Sequence, residues 1–212
     1  MRSKLIAAIV TLGLFVKPAI AAPIKIDSRV VQLPGCTGFV VNGNYLLTAK
    51  HCLPGLGKTV TLKSNKYGTL KCDLIYEAES KDGPIVYKIP TSDEFKRYPS
   101  FKIAEFPAKE HELVHSIGFP GGFYATTYGA FLTPGEGDEF SVVQLRINPG
   151  CSGGPLLNEK DEVVGLCEAV AQNIRTPISF MTSLRKIKKA LHELKLTRAL
   201  NNRVNLTVKV EE

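Results

Sequence analysis

The chain has 212 residues, with 27 Lys and Arg, 20 Asp and Glu, and a formal net charge of +7. Loss of Arg2, Lys4 and Lys17 with an N-terminal signal would lower this charge to +4, spread over the chain except for a basic run at residues 185–189. So modest an excess does not favour nucleic acid as a partner. The remaining length fits one sizeable all-β unit or two small lobes that share an interface.

Residues 1–21 have the pattern of a signal peptide. A basic start precedes an apolar run at residues 5–16, and Ala19, Ile20 and Ala21 form an A-x-A cleavage site. The apolar run is shorter than the roughly 20 residues that span a membrane. We therefore expect cleavage near Ala21, a secreted or periplasmic protein, and no stable membrane anchor after cleavage.

Short β-rich runs cut by Gly, Pro, Asn and Asp fill residues 29–180 and predict an all-β fold. The clearest hairpin joins residues 39–41 to 45–47, because Asn42 and Gly43 accept the positive φ angles of a tight turn. The spacing of the other predicted strands suits a barrel or a sandwich. They lie at residues 59–62, 70–76, 85–89, 113–118, 125–132, 140–145 and 163–170.

The polar segment at residues 91–109 predicts the crossing between two lobes, at 22–108 and 109–196, with a tail at 197–212. Residues 182–196 predict one amphipathic helix, since Leu184, Ile187, Leu191 and Leu194 recur at three- and four-residue steps. We expect this helix to pack on the second lobe, although a basic amphipathic helix can also bind a membrane surface.

Five cysteines in an exported chain suggest at least one disulfide and an odd thiol. None has the CxxC spacing of a zinc site, so we expect no metal. Cys36 lies sixteen residues before Cys52, across the Asn-Gly hairpin. A disulfide between them would clamp the loop that holds His51.

The glycine-rich run around Ser152 displays a hydroxyl on a sharply turning backbone. A serine needs a base to take its proton and N–H groups to receive the oxyanion, and Gly150 and Ser152 could supply those two N–H groups. An ordinary glycine-rich turn is the alternative.

His51 is the preferred base, because it sits beside a cysteine at a strand end, whereas the other three histidines lack such a frame. Asp82 lies just ahead of an apolar strand, where its carboxylate could accept the imidazole N–H and fix the tautomer. Asp73 and Asp93 are rivals for that role. Alternatively, Asp82 belongs to an ordinary Asp-Gly turn with no role in catalysis.

Three ordered blocks, TAKHC, DGPIVYK and INPGCSGGPL, resemble the His, Asp and Ser blocks of trypsin-like peptidases. Within that superfamily the chain is similar to the HtrA and glutamyl-endopeptidase bacterial branches, through INPGCSGGPL, EVVGL and GFPGG. The resemblance covers about residues 29–195. It implies two antiparallel six-stranded β-barrels followed by a C-terminal helix, with His51 and Asp82 in the first barrel and Ser152 in the second.

Cys151 departs from the resemblance, because relatives usually have Asp or Asn before the nucleophile. It cannot form the ion pair that activates zymogen-type relatives, so we expect activity to follow signal removal directly. Cys151 could pair with Cys167 or Cys72, or remain a buried thiol. A thiol can itself be a nucleophile, but the match in register assigns that role to Ser152. No PDZ domain follows residue 196, so we expect a monomer.

The resemblance also suggests where the substrate side chain binds. Arg146 and Ile147 approach the pocket floor, and Glu168, Ala169 and Val170 form its wall. Arg146 could favour an acidic side chain, or it could pair with Glu168 and leave a small apolar pocket.

The resulting hypothesis is a serine endopeptidase that acts on proteins or peptides through an acyl-enzyme, without metal or cofactor. Ser152 attacks, His51 moves the proton, Asp82 orients His51, and the Gly150 and Ser152 N–H groups hold the oxyanion. The alternative is a catalytically weak pseudoprotease that acts as a binding module. Esterase action would use the same residues.

Overall fold

The computed structural model describes residues 25–64, 68–91, 97–135, 139–171 and 176–208. The predicted signal peptide, the end of the predicted tail at residues 209–212, and Asp93 lie outside these residues. The described chain forms two barrel-like sheets followed by a helix. The predicted all-β double barrel with a C-terminal helix is therefore confirmed.

The first sheet has six antiparallel strands in the order β1-β2-β3-β6-β5-β4. Its hairpin between β2 and β3 turns at Asn42 and Gly43, whose φ angles of 52° and 75° are those of the predicted tight turn. The strands are β1 (Val30–Leu33), β2 (Cys36–Val41), β3 (Tyr45–Ala49), β4 (Thr59–Ser64), β5 (Gly68–Glu77) and β6 (Pro84–Lys88). Every residue of β2 and β3 is buried, so this pair forms the centre of the lobe.

The second sheet runs in the order β11-β8-β9-β10-β13-β12, and a pairing of β11 with β12 closes these six strands into a barrel. The two-residue strand β7 adds a parallel pairing to β12. The bounds are β7 (Lys102–Ile103), β8 (Leu113–Gly118), β9 (Ala125–Pro134), β10 (Phe140–Gln144), β11 (Pro155–Leu157), β12 (Glu162–Val170) and β13 (Ile178–Ser183).

The chain passes from one sheet to the other within the polar segment where the crossing was expected. Phe101 still bridges to Val41 of β2, whereas the next two residues pair with β12. The lobe boundary at residues 108 and 109 itself stays a prediction.

Two helices follow strands of different sheets. The short α1 (Leu53–Leu56) lies after β3 in the first lobe, and α2 (Leu184–Val208) begins directly after β13. The predicted start of the long helix at Thr182 is wrong, because Thr182 pairs with Phe140 and Leu166 on neighbouring strands. A buried strand position thus overrides the helical pattern at this residue.

Helix α2 packs against both sheets, contacting β12 and β13 of the second and β5 and β6 of the first. This corrects the expectation that it would pack on the second lobe. Ile187, Leu191 and Leu194 are buried in the core cluster that holds the first sheet, whereas Leu184 belongs to the cluster of the second. The apolar stripe of one helix therefore joins the two cores. No helix in the described ranges is long and apolar enough to cross a membrane.

Replacing Ile187 by alanine tests this packing. Ile187 is fully buried, so Ile187→Ala should lower the free energy of unfolding by about 2–5 kcal/mol. The matched control is Leu196→Ala on the same helix, where the side chain is 52% exposed and the change should stay within about 0.5 kcal/mol. Denaturant unfolding measures both, and equal losses would contradict the packing of α2 described here.

Candidate active site

The loop that carries Ser152 connects β10 to β11 and is hydrogen-bonded to both sheets. On the side of the second sheet, the Gly153 N–H donates to the Cys167 carbonyl at 2.8 Å, and the Cys167 N–H donates to Gly154 at 2.9 Å. On the other side, the Thr37 N–H donates to the Ser152 carbonyl at 2.8 Å. Ser152 is thus fixed between the two lobes and remains partly exposed.

Gly153 has no room for a side chain. Its φ angle is +81°, and a Cβ atom there would lie 2.0 Å from Thr48 Oγ1 and 2.3 Å from the Thr37 carbonyl. Glycine alone satisfies both the backbone conformation and the contact. This residue therefore lets the loop approach the first sheet so closely.

Thr37 is the main polar link between the lobes, and it is fully buried. Its hydroxyl donates to the Gly150 carbonyl at 2.6 Å and accepts the Phe119 N–H at 3.0 Å. Its own carbonyl accepts the Thr48 hydroxyl at 2.7 Å. Sequence reasoning missed Thr37, although a polar residue inside an otherwise apolar strand was the available signal.

The backbone N–H groups of Gly150 and Ser152 do not donate to any protein acceptor within the described part of the chain. The neighbouring N–H of Cys151 is bonded to the Asn148 carbonyl at 3.0 Å. Gly150 has a φ angle of +101°. Among the described residues, the Gly150 and Ser152 N–H groups thus have no protein acceptor, whereas the N–H between them does.

His51 follows β3 in a short 3-10 turn, Lys50–Cys52. The predicted disulfide between Cys36 and Cys52 is present and joins this turn to the start of β2. Cys52 Sγ lies 3.9 Å from the Ser152 carbonyl oxygen. The residue next to His51 thus contacts the residue that carries the candidate nucleophile.

The imidazole of His51 lies against a buried carboxylate. Its Nδ1 is 3.1 Å from Oε2 of Glu168, and the Thr182 hydroxyl donates to Oε1 of the same carboxylate. The hydrogen bond with Glu168 raises the pKa of His51 above its ordinary value, against the lowering effect of desolvation. The charges of Glu168 and Asp82 raise that pKa further. The ring is 41% exposed, so solvent and a substrate can reach it.

Asp82 lies close to the His51 turn, because the residue that follows it in sequence is hydrogen-bonded to that turn. The next residue, Gly83, accepts the Lys50 N–H at 2.8 Å. In the described residues, the Asp82 carboxylate forms no hydrogen bond with His51, and its influence is through charge. The rival Asp73 accepts a hydrogen bond from the Thr59 hydroxyl at 2.9 Å.

The predicted pocket residues have different surroundings. Arg146, Ala169 and Val170 are exposed, and Ile147 is buried with the second core cluster. Glu168 is 6% exposed and faces His51 and Thr182. Of the two alternatives for Arg146, an ion pair with Glu168 is not formed among the described residues.

Cys72, Cys151 and Cys167 are buried free thiols. Burial raises the pKa of Cys151, and it raises the pKa of Cys167 to about 12. Because the thiolate is the reactive form, a buried thiol with a raised pKa is a poor nucleophile. Burial of the Cys151 thiol thus counts against it in the role of nucleophile.

Two barrel-like sheets and a C-terminal helix are the architecture of chymotrypsin-fold proteases. The family model described as "Trypsin-like peptidase domain" matches residues 36–166, more than half of the chain. The chain therefore belongs to the trypsin-like peptidase family. The matched residues include His51, Asp82 and Ser152.

Curated relatives carry the name "Probable periplasmic serine endoprotease DegP-like". Those of Pseudomonas savastanoi pv. phaseolicola and Ectopseudomonas mendocina are 32% and 30% identical over 139 residues. Each alignment covers 61% of this chain and 28% of the relative, so the chain spans little more than a quarter of their length.

Among solved structures, the chain is similar to Rv3671c from M. tuberculosis H37Rv, as a serine-to-alanine mutant in an inactive form. The TM-score is 0.63 at 21% identity, covering 80% of this chain and 88% of that one. A second inactive form of the Rv3671c protease gives a TM-score of 0.62 at 21% identity, covering 78% and 88% of the two chains. These likenesses show the fold.

Replacing Thr37 by valine tests the polar link between the lobes. Thr37→Val keeps the shape but leaves the Phe119 N–H without its acceptor, which should lower the free energy of unfolding by about 1–3 kcal/mol. Thr37→Ser keeps the hydroxyl and should cost about 0.8 kcal/mol for one buried methyl. Denaturant unfolding and hydrogen exchange at the Phe119 amide measure the effect. A valine variant as stable as the serine variant would refute the role of the hydroxyl.

Proposed function

We propose that this chain is a secreted or periplasmic serine endopeptidase that works through an acyl-enzyme. The observation that carries the proposal is the fixed approach of the Ser152 loop to the His51 turn. Two contacts of the Ser152 carbonyl hold these segments together. It accepts the Thr37 N–H, and it contacts Cys52 of the His51 turn. The word periplasmic in the names of the curated relatives supports the proposed location.

In the proposed reaction, the Ser152 hydroxyl attacks the peptide carbonyl while His51 takes its proton. His51 then gives that proton to the leaving amine, and water hydrolyses the acyl-enzyme by the same route. The unpaired N–H groups of Gly150 and Ser152 receive the oxyanion. Since these donors are already fixed, little reorganisation is needed when negative charge develops.

The imidazolium formed in this reaction needs nearby negative charge. Asp82, which the sequence predicts as the third member of the triad, carries a charge that acts on His51 in the sense required, since it raises the pKa of the ring. Glu168 supplies a second negative charge at hydrogen-bond distance. Two carboxylates thus favour the protonated ring that forms when His51 takes the Ser152 proton.

Replacing the candidate nucleophile tests the reaction. A fluorophosphonate probe should label the wild type and leave Ser152→Ala unlabelled, because the probe reacts with an activated serine hydroxyl. Casein should be digested by the wild type alone. Equal labelling of both proteins would contradict the assignment of Ser152 as the nucleophile. A labelled wild type that does not digest casein would favour the binding-module alternative. Cys151→Ser is the matched control and should still be labelled.

We also propose that Arg146 favours an acidic side chain in the substrate. Arg146 is exposed, and the carboxylate that could have neutralised it is bonded to His51 and Thr182 instead. A guanidinium binds a carboxylate through two parallel hydrogen bonds. Ile147, Ala169 and Val170 would surround the apolar part of that side chain.

A peptide-library cleavage profile reads this preference directly. Peptides with Glu or Asp before the cleaved bond should be preferred by the wild type, and Arg146→Gln should reduce that preference by about tenfold or more, equivalent to about 1.4 kcal/mol. The rate on peptides with a small apolar residue there should be unchanged. A profile that is the same in both proteins would exclude Arg146 from the pocket.

A further inference from the structure

Glu168 is a buried acidic side chain that the sequence-based mechanism leaves without a catalytic role. Its side chain is 3% exposed. A buried carboxylate is costly unless its oxygens are paired. Here both oxygens are used, one by His51 Nδ1 at 3.1 Å and the other by the Thr182 hydroxyl. The Glu168 carboxylate is therefore fixed in position, with one oxygen at hydrogen-bond distance from the His51 imidazole.

We propose that Glu168, and not Asp82, is the residue that positions His51 for catalysis. The inference rests on the proposed roles of Ser152 and His51. An ionised carboxylate only accepts hydrogen bonds, so His51 Nδ1 carries the proton in this contact. Nε2 is then the unprotonated nitrogen, as a general base for Ser152 requires.

The surroundings of Asp82 support this division of roles. Asp82 is partly exposed, and the Lys186 ammonium lies 3.2 Å from its main-chain oxygen. Among the contributions that raise the pKa of His51, the hydrogen bond with Glu168 is the largest and the charge of Asp82 the smallest. The nearby Lys50 is paired with Glu77 at 3.0 Å. Within the part of the chain that the structure describes, Asp82 thus acts on His51 through its charge alone.

The position of Glu168 also links the base to the nucleophile. Glu168 follows Cys167, whose main-chain N–H and carbonyl both bond to the Ser152 loop at 2.9 and 2.8 Å. The strand β12 therefore fixes Ser152 through its backbone and His51 through the next side chain. Neighbouring residues of one strand thus contact both the Ser152 loop and His51.

Two isosteric variants distinguish the carboxylates. Glu168→Gln in the full-length chain should lower kcat by about 10²- to 10⁴-fold, with KM within about threefold, because the wrong tautomer of His51 becomes favoured. Asp82→Asn should lower kcat by less than about tenfold, since screened charge is all that it removes. Glu162→Gln, on the same strand, is the control and should retain wild-type kinetics.

The pH profile separates a positioning role from a structural one. Catalysis needs neutral His51, so kcat/KM rises with pH through the pKa of His51. Loss of the Glu168 charge removes the main interaction that raises this pKa. The acid limb should therefore move to lower pH in Glu168→Gln, and by less in Asp82→Asn. A variant that was merely less stable would keep the wild-type midpoint.

Nitrogen NMR of the His51 ring, in the Ser152→Ala background, gives a readout that does not need turnover. We expect Nδ1 to be protonated in the neutral ring, and Glu168→Gln to lower the His51 pKa more than Asp82→Asn does. A larger effect of Asp82→Asn in both experiments, or equal effects, would overturn the proposal. Failure of Ser152 to react with the probe would instead refute the proposed function and leave the NMR result interpretable.

Discussion

The buried Thr37 hydroxyl is the interaction on which the candidate site most depends. Through its backbone and side chain, Thr37 bonds to the Ser152 and Gly150 carbonyls of the second lobe and to the Phe119 N–H. Each bond is modest in net energy, but each leaves an unsatisfied buried group if it is broken. The two barrels can therefore shift relative to each other only at the cost of several such groups.

The contacts of Thr37 between the two lobes also explain why nearby positions tolerate so few residue types. Gly153 passes so close to Thr37 and Thr48 that a methyl group would collide with both. The Cys36–Cys52 disulfide holds the His51 turn at the start of the strand that carries Thr37. Backbone, covalent bond and hydroxyl thus act on one small region, where preorganisation matters most for electrostatic catalysis.

Much of the fold could be predicted because its signals are local. The Asn42-Gly43 turn and β-rich runs such as β8 predicted strands with nearly the observed bounds. Strands of two to four residues lack such a signal, so β1, β7 and β11 were missed, and the longer β13 was missed as well. The end of β13 was read as helix, since Thr182 adjoins a helical pattern but pairs with two strands.

The candidate site divides in the same way. The sequence motifs around His51 and Ser152 are local and could be recognised. The carboxylate that contacts His51, in contrast, comes from the opposite barrel. Glu168 lies 117 residues away in sequence, and its neighbours resembled a pocket wall. No pattern along the chain reports such a contact, because it depends on how two barrels and the α2 helix pack together.

The attachment of α2 to both cores also affects how the protein matures. A chain emerges from synthesis N-terminus first, and its lobes fold as units. The first barrel can form with His51 exposed long before Ser152, Glu168 and Thr182 are made. Its core then lacks Ile187, Leu191 and Leu194, which arrive last and come from the other end of the chain. The core of the first barrel is thus completed only when the last helix of the chain docks, so the stability of the first lobe depends on the segment that is made last.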